Sequence, residues 1–242
     1  MEKLTMEQLE ADLKQISAGK ILDIATGSGE FINLLLHYLG SYESITAIDS
    51  NDRSFKAAEE HFKGKTINFQ KMNAYELTFP PESFGTVSIS NSLHHFADAD
   101  TVLQEMKSVL ISNGYFIINE MHCDDKQSEA QLTHVKLHHW WGKVDTRLDI
   151  VHNRTYTSRQ IIKKVSNLNL SELKVYEYAY PIPNPKDEKM IEKYISYFDP
   201  YVDRIKHHQD YGALKAEGEE LKQRLRDKGF APATSLFIIG RK

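Results

Sequence analysis

Cysteines, a surplus of basic residues and long apolar runs are all rare or missing in this sequence of 242 residues. The single cysteine, Cys123, cannot form an internal disulfide and is typical of a reducing compartment. A formal net charge of -4 gives no general basic surface for nucleic acid or an anionic membrane. No run approaches the roughly 20 apolar residues of a membrane span, and the first residues lack the apolar core of a signal peptide. We therefore predict a cytoplasmic protein, monomeric or homodimeric, that acts on a small molecule and binds neither nucleic acid nor membrane.

Short apolar runs alternate with amphipathic stretches along most of the chain. The runs predict strands at residues 21–24, 44–49, 66–71, 87–90, 115–119, 172–180 and 234–240. The amphipathic stretches predict helices at residues 4–18, 31–39, 53–62, 101–110, 157–168 and 187–228, the last with breaks at Pro200 and Gly212. This order predicts an α/β fold with a doubly wound, seven-stranded, mostly parallel sheet and a helical insertion before the last strand.

A single domain over residues 1–242 is expected, with two additions to its core. We predict that the core comprises residues 15–121, 156–180 and 233–242. The additions, 122–155 and 184–230, are predicted to cap a pocket, because long insertions in compact domains are commonly functional. The first is polar and rich in histidine and tryptophan, and the second carries an apolar stripe that suits packing within the chain or dimerisation.

A glycine turn follows the first predicted strand and precedes a helix. Gly27 and Gly29 permit backbone angles and close ligand approach that a Cβ would prevent. In doubly wound folds this turn binds nucleotide-like ligands. Dinucleotides prefer a third glycine three residues further on, where this chain has Ile32, and Glu30 places a negative charge where a pyrophosphate would lie. S-adenosylmethionine carries no phosphate, and we consider it the better candidate.

Four sequence blocks together resemble the class I S-adenosylmethionine-dependent methyltransferases. They are LDIATGSG at 22–29 with Asp49 after the next strand, MNAYELTFP at 72–80, SNSLHHF at 90–96 and VLQEMKSVL at 102–110. Their order and spacing are similar to the small-molecule branch that includes the ubiquinone and menaquinone biosynthesis methyltransferases. The resemblance covers about residues 15–120 and the final strands.

The resemblance implies a set of cofactor-binding residues, with S-adenosylmethionine as the cofactor. Asp23 and the turn formed by Ala25, Thr26, Gly27, Ser28 and Gly29 would hold the methionine part. Asp49, with Ser50 beside it, would bind the ribose, Asn73 and Ala74 would address the adenine, and Asn91 would contact the cofactor's tail or line the acceptor channel. Ala25 replaces the commonest first glycine of the family, and Asn73 replaces the usual aspartate.

Methyl transfer is an in-line displacement for which positioning alone supplies much of the acceleration. If the acceptor needs a base, His94 and His95 are the candidates, since they follow the fourth strand and imidazole titrates near neutral pH. The alternative is that this pair only shapes the pocket. Loss of transfer activity, leaving a cofactor-binding sensor or assembly subunit, and methylation of a protein remain alternative functions.

The segment 134–154 supplies the candidates for acceptor binding. One patch contains His134, His138, His139, Trp140 and Trp141, and it could form an aromatic, hydrogen-bonding wall over the acceptor pocket or simply pack in the core. Arg147 or Arg154 could pair with an acidic group of the acceptor, or be ordinary solvated or salt-bridged arginines. His134 and His138 share a helix face at a spacing that suits a metal. Because the sequence offers no clear third ligand, we expect no metal site.

Overall fold

A seven-stranded sheet organises the chain, and its computed structural model describes residues 3–51, 58–124 and 126–242. The strands are β1 (Lys20–Ile24), β2 (Ser44–Asp49), β3 (Ile67–Lys71), β4 (Phe84–Ser90), β5 (Leu110–Met121), β6 (Ser171–Tyr178) and β7 (Ser235–Arg241). Their order is β3-β2-β1-β4-β5-β7-β6, and only β7 runs antiparallel to its neighbours. The prediction of a doubly wound, mostly parallel sheet is confirmed.

Helices cover both faces of this sheet because its central strands are apolar on both sides. In β1, Leu22 and Ile24 belong to one core, whereas Ile21 belongs to the core on the opposite face. The flanking helices are α1 (Met6–Lys14), α2 (Glu30–Tyr38), α3 (Ala99–Val109) and α5 (Ser158–Ser166). The helix predicted at 53–62 lies partly outside the described residues, and residues 58–61 of it are helical.

The point where the strand order reverses lies between β1 and β4. From β1 the chain adds β2 and β3 on one side, then crosses to place β4 and β5 on the other. In open α/β sheets, ligands bind outside the carboxyl ends of the strands at such a reversal. The glycine turn after β1 and the turn after β4, a short 3-10 helix at Leu93–His95, both lie at this edge.

A separate helical layer stands beside the sheet and has an apolar core of its own. It contains α4 (Glu129–Thr146), α6 (Glu188–Ile195), α7 (Phe198–Val202) and α8 (Tyr211–Lys228). Gly218 of α8 permits close packing on α4, because a Cβ there would lie 3.0 Å from Cζ2 of Trp140. The two segments predicted to be additions therefore pack mainly against each other.

Two details of this layer differ from the prediction. Residues 129–146, for which the sequence indicated only a polar segment with a shared histidine face, form one 18-residue helix that starts with a capping box at Ser128. Gly212 does not break the last helix, since it lies in the first turn of α8, and Pro200 lies in the first turn of α7. Proline is tolerated there because the first N–H groups of a helix lack partners within it.

Every helix in the described part of the chain is too short or too polar to cross a lipid bilayer.

Candidate functional site

The glycine turn after β1 has the backbone of a ligand-binding loop. Ala25, Gly27 and Gly29 all have positive φ, at 53°, 56° and 85°. A Cβ on Gly27 would meet no atom within 4 Å, so this backbone borders open space that a ligand can occupy. A Cβ on Gly29 would instead lie 2.3 Å from the Phe62 ring, so the second glycine is required for packing. The loop therefore leaves room for a ligand at Gly27, and its contact with a cofactor stays a prediction.

Asp49 connects this loop to the end of β2. Its carboxylate accepts a hydrogen bond from the Gly27 amide and another from the Asn51 amide, both at 2.8 Å. The side chain is partly exposed, and a carboxylate has further lone pairs for two ligand hydroxyls. Asp49 is therefore held in place before any ligand binds.

Asp23 lies below the loop and is 1% exposed. Its two carboxylate oxygens accept hydrogen bonds from Ser88 Oγ at 2.6 Å and from Thr26 Oγ1 at 2.8 Å. Burial raises the pKa of Asp23 to about 6 despite these two bonds. The observed contacts make Asp23 an anchor between the loop and β4, and its contact with a cofactor stays a prediction.

The other predicted cofactor residues surround the same edge of the sheet. Asn73 is exposed, and its side-chain oxygen accepts a hydrogen bond from the Tyr75 amide at 3.1 Å, whereas Ala74 is buried. Asn91 has a φ of 45°, and its side-chain oxygen accepts from the Met121 amide at 2.9 Å. Ser28 and Ser50 are exposed.

A cavity of about 720 Å³ begins where the glycine loop ends. It extends from Glu30 and Phe31 of α2 past the ends of β4 and β5 to β6 and β7. Its walls include aromatic, amide and histidine side chains, among them Phe31, Asn91, Asn119, His134, Tyr178 and Tyr180. This size and mixture are typical of pockets for small organic molecules.

Two polar residues of this cavity can contact a ligand: Asn119, which was not identified from the sequence, and His134, which belongs to the histidine and tryptophan patch expected near the acceptor. Asn119 donates to Ser90 Oγ at 2.9 Å, while its side-chain oxygen is buried without a partner in the described part of the chain. His134 Nδ1 accepts a hydrogen bond from the Ala233 amide at 2.9 Å. Burial lowers the pKa of His134 to about 4, so the neutral ring carries its proton on Nε2 and can donate it. His134 thus offers a donor to the cavity, and Asn119 carries in its wall a buried oxygen that has no partner among the described residues.

His94 and His95, the candidate bases, do not line this cavity. His94 is fully buried, and both of its ring nitrogens are engaged, one with Glu120 and the other with His138. His95 is exposed, and its ring lies 4.3 Å from the His152 ring, measured between centroids. The structure therefore places this pair in a histidine cluster beside the pocket.

The three residues suggested for acceptor binding are not brought together. His139 bonds to Thr155 at 2.7 Å and lines a second cavity of about 550 Å³ with Arg154. Trp140 is fully buried in the helical layer and donates to the Leu214 carbonyl at 2.8 Å. Arg147 pairs with Asp210 at 2.9 Å. The expected wall around Trp140 is thus a packing element, because its apolar ring faces α7 and α8.

The part of the chain that contains the glycine loop is similar to a known protein family. Residues 22–118 match the model described as a methyltransferase domain. This part of the chain is similar to methyltransferase domains. The matched residues include the glycine loop, Asp49 and the turn after β4, in agreement with the resemblance found in the sequence.

Curated proteins with similar sequences match this chain over part of their length only. The ubiquinone/menaquinone biosynthesis C-methyltransferase UbiE of Shewanella sediminis is 30% identical over 105 residues, which are 42% of either protein. The demethylmenaquinone methyltransferase of Bacteroides fragilis is 28% identical over 124 residues, or 50% of either protein. The match thus spans half or less of each relative.

Solved structures share the fold of the whole chain. The YcgJ protein from Bacillus subtilis has a TM-score of 0.61 at 17% identity, over 98% of this chain and 97% of that one. The [4+2]-cyclase SpnF has a TM-score of 0.62 at 15% identity, over 97% of this chain and 78% of that one. Because one of these neighbours is described as a cyclase, the fold alone does not fix the chemistry.

Proposed function

We propose that the protein transfers a methyl group from S-adenosylmethionine to a small organic acceptor bound in the 720 Å³ cavity. The observation that carries this proposal is the position of the cavity, which starts at Glu30, directly after the glycine loop. In a methyltransferase domain this arrangement puts the cofactor loop and the acceptor space side by side. The related quinone methyltransferases support a small-molecule acceptor.

The cofactor would be held by residues that the structure has already positioned. The backbone of residues 25–29 would take the methionine part, Asp49 and Ser50 the ribose, and Asn73 and Ala74 the adenine. When bound, S-adenosylmethionine supplies an electrophilic methyl group on a positively charged sulfur. The contribution of the protein is then to orient the acceptor and exclude water, which is worth on the order of 7–11 kcal/mol in favourable cases.

Acceptor recognition is assigned to Asn119 and His134. The unpartnered oxygen of Asn119 can accept from a hydroxyl or amine, and the Nε2 proton of His134 can be donated to an oxygen. The only lone pair of the neutral His134 ring is on Nδ1, where it accepts from the Ala233 amide, so the ring has no free lone pair with which to act as a base. We therefore assign neither His134 nor the buried His94 the role of general base, and positioning drives the reaction.

Incubation with S-adenosylmethionine labelled at the methyl group and a metabolite extract tests this function. We expect label in a low-molecular-weight product. Asn119→Ala should raise the KM for this acceptor by about tenfold, since it removes one hydrogen bond, with little change in cofactor affinity. Label in protein instead would indicate a protein methyltransferase. No transfer at all, despite cofactor binding, would indicate the alternative of a binding subunit and contradict the proposal.

A further inference from the structure

Four histidines from three separate segments meet beside the end of β4. His94 and His95 come from the turn after β4, His138 from α4, and His152 from the segment that follows α4. One ring nitrogen of each lies within 4.8 Å of all the others. His94 and His152 are buried, His138 is partly buried and His95 is exposed, so the cluster reaches solvent on one side only.

Two buried carboxylates fix the orientation of the buried rings. Glu120 Oε1 lies 2.5 Å from Nδ1 of His94, and Asp145 Oδ2 lies 2.7 Å from Nδ1 of His152. Glu120 also accepts from the Ser92 and Leu93 amides. These carboxylates accept hydrogen bonds from the Nδ1–H groups, so the lone pair of each neutral ring is on Nε2.

Asp145 is itself held by the helical layer. It accepts hydrogen bonds from the Tyr201 hydroxyl at 2.7 Å and from Arg204 at 2.8 Å. The Arg204 guanidinium keeps Asp145 available as an acceptor for His152. Both buried rings therefore have an outer partner of the kind that orients histidine ligands in metalloproteins.

The three Nε2 atoms point at one another. Nε2 of His138 lies 2.7 Å from Nε2 of His94 and 3.1 Å from Nε2 of His152. His138 can place at most one proton between itself and these two lone pairs. With hydrogen bonds alone, one of the two contacts is strained, because a single proton serves two short nitrogen contacts. A cation between the three lone pairs satisfies all of them.

We propose that His94, His138 and His152 bind a divalent transition-metal ion of the zinc class, with His95 beside its solvent-exposed side. Imidazole is a preferred ligand of Zn²⁺, Co²⁺ and Ni²⁺. Zinc–nitrogen bonds of roughly 2.0–2.1 Å in a tetrahedron imply ligand separations of roughly 3.3 Å. The separation of 3.1 Å between His138 and His152 is close to this value, and the separation of 2.7 Å between His138 and His94 would increase by about 0.6 Å when the ion binds. Three protein ligands and an accessible fourth position correspond to an open metal site.

The site is built by the contact between the sheet and the helical layer. The Asn153 amide donates to the His94 carbonyl at 2.8 Å, which holds the segment of His152 against the turn after β4. Gly142 of α4 allows this approach, since a Cβ there would lie 2.9 Å from the His152 carbonyl oxygen. His134, four residues before His138 on α4, bonds to Ala233 and stays outside the cluster.

Titration of the chelator-treated full chain with Co²⁺, followed by its visible absorption, tests the proposal. We expect one equivalent to bind, with the intense bands of a low-coordinate nitrogen site, and Zn²⁺ to displace it. His138→Ala should weaken binding by at least 100-fold, whereas the matched variant His134→Ala on the same helix should bind as the wild type does. Circular dichroism of each metal-free variant confirms that it is folded.

A second variant keeps the test independent of ligand removal. Glu120→Gln retains all four histidines and should reduce affinity by about 10–100-fold through the altered partner of His94. Binding of less than one equivalent, or equal losses in His138→Ala and His134→Ala, would overturn the proposal and leave a hydrogen-bonded histidine cluster. This site is separate from the cofactor loop, so a negative result leaves cofactor titration and methyl transfer unaffected.

Discussion

At the scale of single residues, Asp23 combines an anchoring role with an electrostatic cost. The buried carboxylate has its pKa raised from 3.8 to about 6. Because the pKa of Asp23 is higher in the folded state than in the unfolded state, the protonated carboxyl stabilises the fold below about pH 4. This contribution to the free energy of unfolding is lost as the pH rises through about 6. Above that pH, the buried charge costs on the order of 3 kcal/mol, from roughly two pKa units.

We expect Asp23→Asn to raise the melting temperature at pH 8, because the amide removes the buried charge while Ser88 and Thr26 retain a polar partner. The gain should shrink as the pH falls towards 4. The control is Asp12→Asn. Burial alone would raise the pKa of Asp12, but hydrogen bonds from Tyr176 and Lys174 lower it overall. Its substitution should therefore destabilise the protein at pH 8. A pH-independent effect of Asp23→Asn would contradict this account.

Ala25 holds a backbone conformation that suits glycine. Its φ of 53° costs a residue with a Cβ about 1 kcal/mol, and the family's usual glycine would remove that strain. Ala25→Gly should therefore leave the free energy of unfolding unchanged or raise it by up to about 1 kcal/mol. The same substitution at buried Ala47 in β2 should lower it, as urea denaturation would measure. Clear destabilisation by Ala25→Gly would show that the loop is not strained.

At the scale of elements, the strands were predictable because the signal for each one lies in its own few residues. Buried strands such as β1 (Lys20–Ile24) are short, mostly apolar runs, and the glycines after β1 specify the turn whatever lies elsewhere in the chain. Helix α4 was missed because its buried positions, which include Thr133, Gly142 and Asp145, are not all apolar. Their burial depends on α7, α8 and the histidine cluster, which are distant in sequence.

Gly142 and Gly212 make a matched pair for this helical layer. Replacing glycine by alanine inside a helix normally gains about 1 kcal/mol. At Gly212 of α8 no atom lies within 4 Å of the added Cβ, so Gly212→Ala should stabilise the protein. Gly142→Ala should instead lower the melting temperature and weaken Co²⁺ binding at least tenfold, because the added methyl displaces the segment that carries His152. Equal melting temperatures for the two variants would contradict the close contact.

At the scale of the whole molecule, candidate residues for the methyl donor could be named from sequence motifs, whereas the residues around the cavity proposed for the methyl acceptor could not. Asp49 follows its strand at the expected spacing, and the structure joins it to Gly27. Asn119 belongs to no motif, and it meets His134 only because β5 and α4 border one cavity. The partners of His138, at residues 94, 95 and 152, could not be predicted either, because they come from segments that meet only in the folded chain.

The most direct test of the central claim is calorimetric titration of the protein with S-adenosylmethionine and S-adenosylhomocysteine. We predict saturable binding of one molecule per chain. Asp49→Ala should bind at least tenfold more weakly, because it loses charge-assisted hydrogen bonds worth about 1.5–3 kcal/mol each. The affinity of Asp49→Asn, which keeps an acceptor for the Gly27 amide, should lie between those of the wild type and Asp49→Ala. Absence of binding at millimolar ligand by the folded protein, or an unchanged affinity in Asp49→Ala, would contradict the account.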